Sequence, residues 1–304
     1  MKGGLGTDKK LGSTTNLAFK TQLESFPSVK AAFNSLPNAK LVSTTYTSNF
    51  AEYEESGGSF VVSKWNNLIN DDQYLRQATS GKYPAISTAN SLNGNPSIRF
   101  LVTDSLGTVA EESGYTGRTI FIVTRQNVID TTGRKSLLYE SIADIAGGSA
   151  NLQQNGFEVG RCDNTDGDSD YRFQLLSFYR VGSTNYSGPG ASVARSDFGD
   201  VSLFVWKQEL DIGNRSLEVS LRDESLSSVF SATVTPAALS MTNGTWDSLY
   251  GGDGSSIPSA YLNICFLGFT NFDIEQYFIS IYHSALSDAD CHKVFSMIKN
   301  MYGL

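Results

Sequence analysis

A chain of 304 residues, 40% hydrophobic and 18% charged, can bury a large core, which excludes global disorder and allows one large domain plus an appendage. Its 28 Gly, 18 Phe and 14 Tyr against 4 Met favour β structure. A formal net charge of −8, with no basic run longer than a pair such as Lys9-Lys10, argues against nucleic-acid binding and against an anionic membrane surface, and leaves neutral partners such as sugars or other proteins.

Residues 1–16, rich in Gly, Thr and Lys, read as an arm that is flexible or ordered by a partner. No apolar h-region follows Met1, so no secretory signal is expected. No apolar run approaches the ~20 residues a membrane helix needs, so no membrane insertion is expected. Residues 17–36 carry a weak helical pattern (Leu17, Phe19, Leu23, Phe26, Val29, Ala32, Phe33, Leu36), interrupted by Pro27 and ended by Pro37-Asn38. Residues 41–58 are polar and close on Glu54-Glu55-Ser56-Gly57-Gly58, which reads as a linker. The expected division is therefore an arm with a short helix and linker over 1–58, and a β domain over 59–304.

From Ser59 onward short apolar runs recur between turn clusters. They lie at 60–62, 97–102 (entered through Asn93-Gly94-Asn95-Pro96), 118–124, 136–141, 156–161, 171–181, 201–207, 216–222, 229–234, 261–267 and 276–282. About ten strands with turn-rich spacing predict a sandwich or jelly roll. The end of the chain changes period. Ser287 is placed to cap a helix with Asp290 three residues on, Val294, Phe295, Ile298, Met301 and Tyr302 recur at helical spacing, and Gly303 supplies the stop. The three cysteines, Cys162, Cys265 and Cys291, have neither the even count of a disulfide framework nor zinc-ligand spacing, and read as buried free thiols compatible with a reducing cytoplasm.

Two separated stretches resemble the ends of concanavalin A/laminin-G-like lectin domains. The first, within residues 65–100, has a Trp, a polar loop, Gln77-Ala78-Thr79 and then Asn93-Gly94-Asn95-Pro96-Ser97-Ile98-Arg99-Phe100. The second, residues 266–304, resembles the closing strand and helix, through Ile281-Tyr282, Ala285-Leu286-Ser287-Asp288-Ala289 and Tyr302-Gly303-Leu304. Phe272-Asp273-Ile274-Glu275 lacks the Gly that the family often places after the Asp. The resemblance covers roughly residues 59–304 and implies an all-β, concanavalin A-like jelly-roll sandwich with an N-terminal arm and a C-terminal helix. Domains of this kind are common in bacteriophage tail, fibre and capsid-decoration proteins and on bacterial surfaces. It therefore implies a virion structural or attachment protein, made in the host cytoplasm, held to other subunits by its arm and able to form a homo-oligomer. A bacterial surface carbohydrate-binding module is the weaker alternative, for want of a secretion signal.

Glycosidases of this fold carry Glu-x-Asp-x-x-Glu on one strand face, with two carboxyls about 5–5.5 Å apart for retention. Glu209 and Asp211 match, but Asn214 stands where the second Glu is required and has no proton to give a leaving group. No enzyme is expected, and Gln208 to Asn214 reads as a polar hairpin connection. No G-x-S-x-G elbow accompanies the two histidines, His283 and His292. No cofactor is required, though calcium is a candidate. Asp163, Asp166, Asp168 and Asp170 crowd one loop, either holding a hard cation or forming a solvated hairpin tip; the EF-hand register fails because Cys162 falls in the first ligand position. For a glycan, the candidates are Trp246, Asp247, Tyr250 and Asp253 in a Gly-rich loop, with Tyr186 and Tyr115; each aromatic ring either stacks on a sugar or caps the core edge.

Overall fold

The computed structural model describes residues 20–26, 28–34, 40–42, 45–47, 51–69, 74–101, 104–108, 115–128, 136–141, 155–162, 172–181, 184–187, 191–194, 201–250, 261–266 and 273–304. The strands among them are, in chain order, β1 (Val29–Asn34), β2 (Lys40–Val42), β3 (Thr45–Thr47), β4 (Ala51–Ser56), β5 (Ser59–Asn66), β6 (Tyr74–Arg76), β7 (Ala85–Leu92), β8 (Asn95–Leu101), β9 (Leu106–Thr108), β10 (Gly117–Val128) and β11 (Ser136–Ser141). There follow β12 (Asn155–Cys162), β13 (Arg172–Val181), β14 (Thr184–Ser187), β15 (Ala191–Ala194), β16 (Val201–Asp211), β17 (Ser216–Asp223), β18 (Ser228–Val234), β19 (Tyr261–Phe266) and β20 (Asp273–Tyr282). Among the described residues, helix also occurs at 20–24, in a 3-10 turn at Ser80–Lys82, and in α1 (Asn243–Leu249) and α2 (Asp288–Tyr302). No helix among the described residues is long and apolar enough to cross a membrane.

All the pairings are antiparallel, and they trace two layers. In the first, β20 is central. It pairs with β10, which continues through β16 and β17 to β18. Along its other edge β1 and β8 lie end to end: β1 takes Phe278 to Tyr282, and β8, which hairpins with β7, takes Asp273 to Gln276. In the second layer β3, β4, β5, β6, β9, β19, β11, β12 and β13 follow one another, with β2 on β3 and with β14 and β15 on β13. Among the described strands, the Val61–Ala85 pair between β5 and β7 joins the layers.

The period-2 alternation of strands sorts the apolar residues into two cores. On β10, Ile120 and Ile122 face the space between the layers, while Phe121 and Val123 face outward. On β16, Phe204, Trp206 and Leu210 go in, and Leu203 and Val205 go out. The inner core is completed from the second layer by Tyr53, Val62, Trp65, Leu75 and Leu106. On the outer face the first layer is covered by α2, through Cys291, Val294, Phe295, Ile298, Met301 and Tyr302. Burying each large apolar side chain is worth roughly 1.5–3 kcal/mol relative to leaving it in water. That is what makes a strand with apolar residues on both faces stable only when both faces are covered.

α2 begins and ends as the sequence predicts. Ser287 Oγ accepts from the Asp290 amide at 3.2 Å and donates to Asp290 Oδ2 at 2.8 Å. At the other end Gly303 adopts φ 68°, and its amide donates to Lys299 O at 2.7 Å. The segment leading into α2 is pinned by Thr119, whose hydroxyl donates to Ser284 O at 2.8 Å and accepts from the Leu286 amide at 2.9 Å.

The N-terminal part departs from expectation. Among the described residues of that expected helix, 20–24 are helical, and the stretch after Pro27 is strand β1, whose pairing with β20 outweighs its weak helical spacing. Asn67, buried, clamps β1 further: its Oδ1 accepts from the amides of Ala32 (3.0 Å) and Ile69 (2.9 Å). Leu23, Phe26 and Ala32 belong to the outer core. Gly57-Gly58 is not a linker but the two-residue turn of the β4–β5 hairpin, with φ 58° and 81°, as a turn of the type I′ kind requires. The position expected to separate arm from domain is therefore internal to a hairpin, and residues well before it are stitched into the sandwich.

Candidate functional site

The residues expected to stack on sugar sit differently. Thr242 Oγ1 accepts from the Thr245 amide at 3.1 Å and starts α1, so the Gly-rich run from Thr242 begins as a helix rather than a loop. Trp246 and Tyr250, one helical turn apart, point inward and are 2% and 1% exposed, with ring centroids 4.4 Å apart. Tyr115 is 3% exposed and stacks on His283 at 4.1 Å. All three rings belong to the inner core or its edge, and a face already packed against protein cannot take a pyranose. Trp65 and Trp206 are buried as well, so every tryptophan of the chain is structural. Asp247 is bound by Arg215 through two hydrogen bonds, 2.7 and 3.1 Å, which hold its carboxyl below the usual carboxylate range. Tyr186 lies on β14 opposite Tyr179. Asp253 falls outside the described residues, as do Asp163, Asp166, Asp168 and Asp170. Among the described residues no group of three or more His, Cys, Asp or Glu is placed to hold a metal ion.

Glu209 and Asp211 close the end of β16. Asp211 Oδ2 accepts from Asn214 Nδ2 at 2.7 Å and Oδ1 from the Asn214 amide at 3.1 Å. Those bonds lower its pKa and make it the cap of the β16–β17 turn. Glu209 is exposed, directly opposite Glu218 on β17. Asn214 thus serves the turn as a donor, which a second glutamate in its place could not do while ionised. The polar hairpin connection expected over Gln208 to Asn214 is shorter than that: Gln208 to Asp211 pair with β17, and the turn is 212–215.

Under the same end of the first layer, Arg118 is fully buried and sits over Tyr115, 5.3 Å from the ring centroid. Gly117 just before it is required by close approach: an added Cβ would meet Ala285 N at 2.5 Å. His292 is exposed on α2 and Cys291 is buried, its thiol pushed up to about 11 chiefly by that burial. These groups read as packing.

A second polar set, at the opposite end of β20, was missed by residue-type reasoning although its members lie in the two motif stretches. Arg99 on β8 and Asp273 on β20 form a bidentate pair, Nε–Oδ1 2.7 Å and Nη2–Oδ2 2.5 Å. This hydrogen bond raises the arginine's pKa. Asn127 on β10 adds a bond to Asp273 at 3.2 Å. Two residues along, Glu275 pairs in register with Arg99 on one side and Arg125 on the other. It is 1% exposed; its Oε2 accepts from Asn90 Nδ2 (3.0 Å) and from the Tyr277 hydroxyl (3.1 Å). Burial, and then the Glu275 charge, drive the Tyr277 phenol well above its ordinary range. The turn of the first motif also holds the helix of the second: Asn93 and Asn95 side chains donate to Met301 O at 3.1 and 3.0 Å. The two stretches that resemble one family are thus two halves of one interlock, which explains why they occur together.

No protein-family model matches the chain, and no curated protein matches its sequence. Among solved structures it is similar to an arabinofuranosidase complexed with arabinofuranosyl-alpha-1,2-xylobiose, with a TM-score of 0.56 and 10% identity over 93% of this chain and 65% of that one. It is also similar to a GH54 a-l-arabinofuranosidase soaked with a cyclic sulfate inhibitor, with a TM-score of 0.51 and 11% identity over the same shares. A legume lectin-like domain from Entamoeba histolytica matches 66% of this chain and 83% of its own, at a TM-score of 0.38 and 11% identity. The chain spans 65% of the length of the arabinofuranosidase chains it matches. At such identities the likeness concerns fold. The fold found is an all-β, antiparallel jelly-roll sandwich with a C-terminal helix.

Proposed function

We propose that the chain is a non-catalytic binding module, a lectin-like sandwich that recognises a glycan or a neighbouring subunit. The observation that supports this reading is that the Glu209-x-Asp211 pattern is incomplete: Asn214 stands where the second Glu would be and is tied to Asp211 in the turn. Asp273 is likewise tied to Arg99 and Asn127. A glycosidase needs one carboxyl free to give a proton and a second free to attack or to activate water. The likeness to arabinofuranosidases supplies a scaffold, and a scaffold hosts many functions. The acidic charge favours a partner other than nucleic acid.

The finer reading is a virion structural or attachment protein, tail fibre or capsid decoration, made in the host cytoplasm, joined to other subunits through its N-terminal segment and free to form homo-oligomers. What supports it is the sequence resemblance and the Gly/Thr/Lys-rich start. Because β1 and β4 are part of the sandwich, the anchoring test is a deletion of residues 1–19. The expected result is a folded sandwich lost from purified particles, as measured by peptide mass spectrometry.

The enzymatic alternative is tested on arabinoxylan, xylan and β-glucan by reducing-end release. No release above blank is expected from the intact chain. Release that disappears in Glu209→Gln would establish the glycosidase and end the binding-module reading.

A further inference from the structure

The first layer has two edges, and the chain treats them differently. On one side β1 is closed off: the Ala32 amide donates to Asn67 Oδ1 at 3.0 Å, and Ala32 O accepts from the Leu68 amide at 2.8 Å. Next to it, β7 turns away to pair with β5 through Ala85. On the other side stands β18, which among the described strands pairs with β17 alone. Alternate residues of an edge strand aim their N–H and C=O groups away from the neighbouring strand. Among the described residues, no backbone hydrogen bond outside the β17 ladder engages any residue of β18.

An open edge is usually guarded by Lys, Pro or an inward-pointing charge. β18 has none of these: Ser228-Val229-Phe230-Ser231-Ala232-Thr233-Val234 holds no charge, proline or glycine. Its register on β17 shifts near Val229, and from Phe230 to Val234 it is regular. Val229, Phe230 and Ala232 are half-buried against the inner core, while Ser231 and Thr233 are exposed. Water therefore reaches both the free ladder and the flank of the core. We propose that β18 is the interface of a homodimer, in which two copies pair this strand antiparallel about a twofold axis and join their first layers into one sheet. The inference rests on the reading of the chain as a binding module that forms homo-oligomers, and names the surface.

The strand itself selects a second copy. A twofold centred on Ala232 sets Phe230 against Val234 and Ala232 against its twin on the core side, and Ser231 against Thr233 on the outer side. Aromatic then meets β-branched and hydroxyl meets hydroxyl, the pairs that stabilise a ladder. A chain of net charge −8 repels its own kind over most approaches, and β18 brings two uncharged strands together. The nearby carboxylate, Glu218, accepts from the Thr233 hydroxyl at 2.7 Å. Because the pairing uses up the open edge and Asn67 closes the other, assembly stops at two. Five residues of ladder span about 17 Å, so the interface is small and the dimer is of micromolar strength.

The test is sedimentation velocity of the full chain between about 1 and 100 μM, the range in which small interfaces associate. It is run on the parent, on Ser231→Lys, on Ser231→Glu and on an equimolar mixture of the two variants. Ser231 is exposed, so both variants are expected to melt with the parent. The parent is expected to pass from monomer to dimer. Each variant alone sets like charges diagonally across the twofold and is expected to dimerise at least tenfold more weakly. The mixture sets Lys near Glu and is expected to recover the parent's dimer, which a folding defect could not do. Amides of 230–234 should also exchange more slowly in the concentrated parent. A parent that stays monomeric overturns the interface and leaves the module to bind a glycan or an unlike subunit. Variants that dimerise like the parent, a mixture that stays monomeric, or species larger than a dimer overturn it as well.

Discussion

Replacing Trp246 with alanine separates a core tryptophan from a sugar platform. The ring is 2% exposed, packs on Tyr250 at 4.4 Å between centroids, and belongs to the inner core. Truncating a buried aromatic residue typically costs about 3–5 kcal/mol, the sum of lost transfer energy and an incompletely collapsed cavity. The site cannot collapse freely, because α1 is held at one end by the Thr242 cap and on its side by the Asp247–Arg215 pair. Domains of 150–250 residues lose about 2–4 °C of melting temperature per kcal/mol, so a fall on the order of 10 °C is expected. The assay is thermal melting by circular dichroism, run beside glycan retention well below the variant's melting point. Loss of stability with retention unchanged is the expected pair of results. A variant that melts with the parent but no longer retains glycan refutes the assignment of Trp246 to the core, and with it the rejection of the α1 region as the sugar site.

Three further outcomes follow from the same geometry. Arg99→Met leaves the mostly buried Asp273 carboxylate with only Asn127; since Arg99 itself is 40% exposed and screened, the expected cost is roughly 1–3 kcal/mol, read by urea denaturation, and no change would mean the β8–β20 interlock is incidental. Ser287→Ala removes the α2 cap and should cost about 1 kcal/mol, with exchange of the first-turn amides accelerated; unchanged exchange in that turn argues against the cap. Alkaline pH should destabilise the fold. Cys291 is held up at about 11 against 9.0 for the free thiol, and the Tyr277 and Tyr282 phenols are raised by burial, so the native state keeps protons that the unfolded chain gives up. Stability is then fully present below pH 9 and falls as pH rises through about 11. A urea midpoint that rises from pH 9 to 11 contradicts the burial of these groups.

Legibility varied with how local the determining physics was. β10 and β20 were plain from their apolar runs, and α2 from apolar residues at helical spacing between a Ser cap and a Gly stop. β1 was not, because its short sequence has no strong period of its own and becomes strand only on the edge that β20 offers. β4 was hidden by its three glutamates, although Gly57-Gly58 between two short alternating runs is itself a hairpin signal. The i, i+4 spacing of Trp246 and Tyr250 after Thr242 was a helical signal that the surrounding glycines masked. The polar set around Glu275 had no local signal. Arg99 and Asp273 are 174 residues apart, and only strand register brings them together.

The central claim is that this sandwich binds without cutting. Its most direct measurement is titration calorimetry of the intact chain with neutral oligosaccharides, followed by mass spectrometry of the recovered sugar. The account predicts saturable heats and a ligand recovered at its original mass. A sustained turnover heat with shortened sugar in the cell would contradict it.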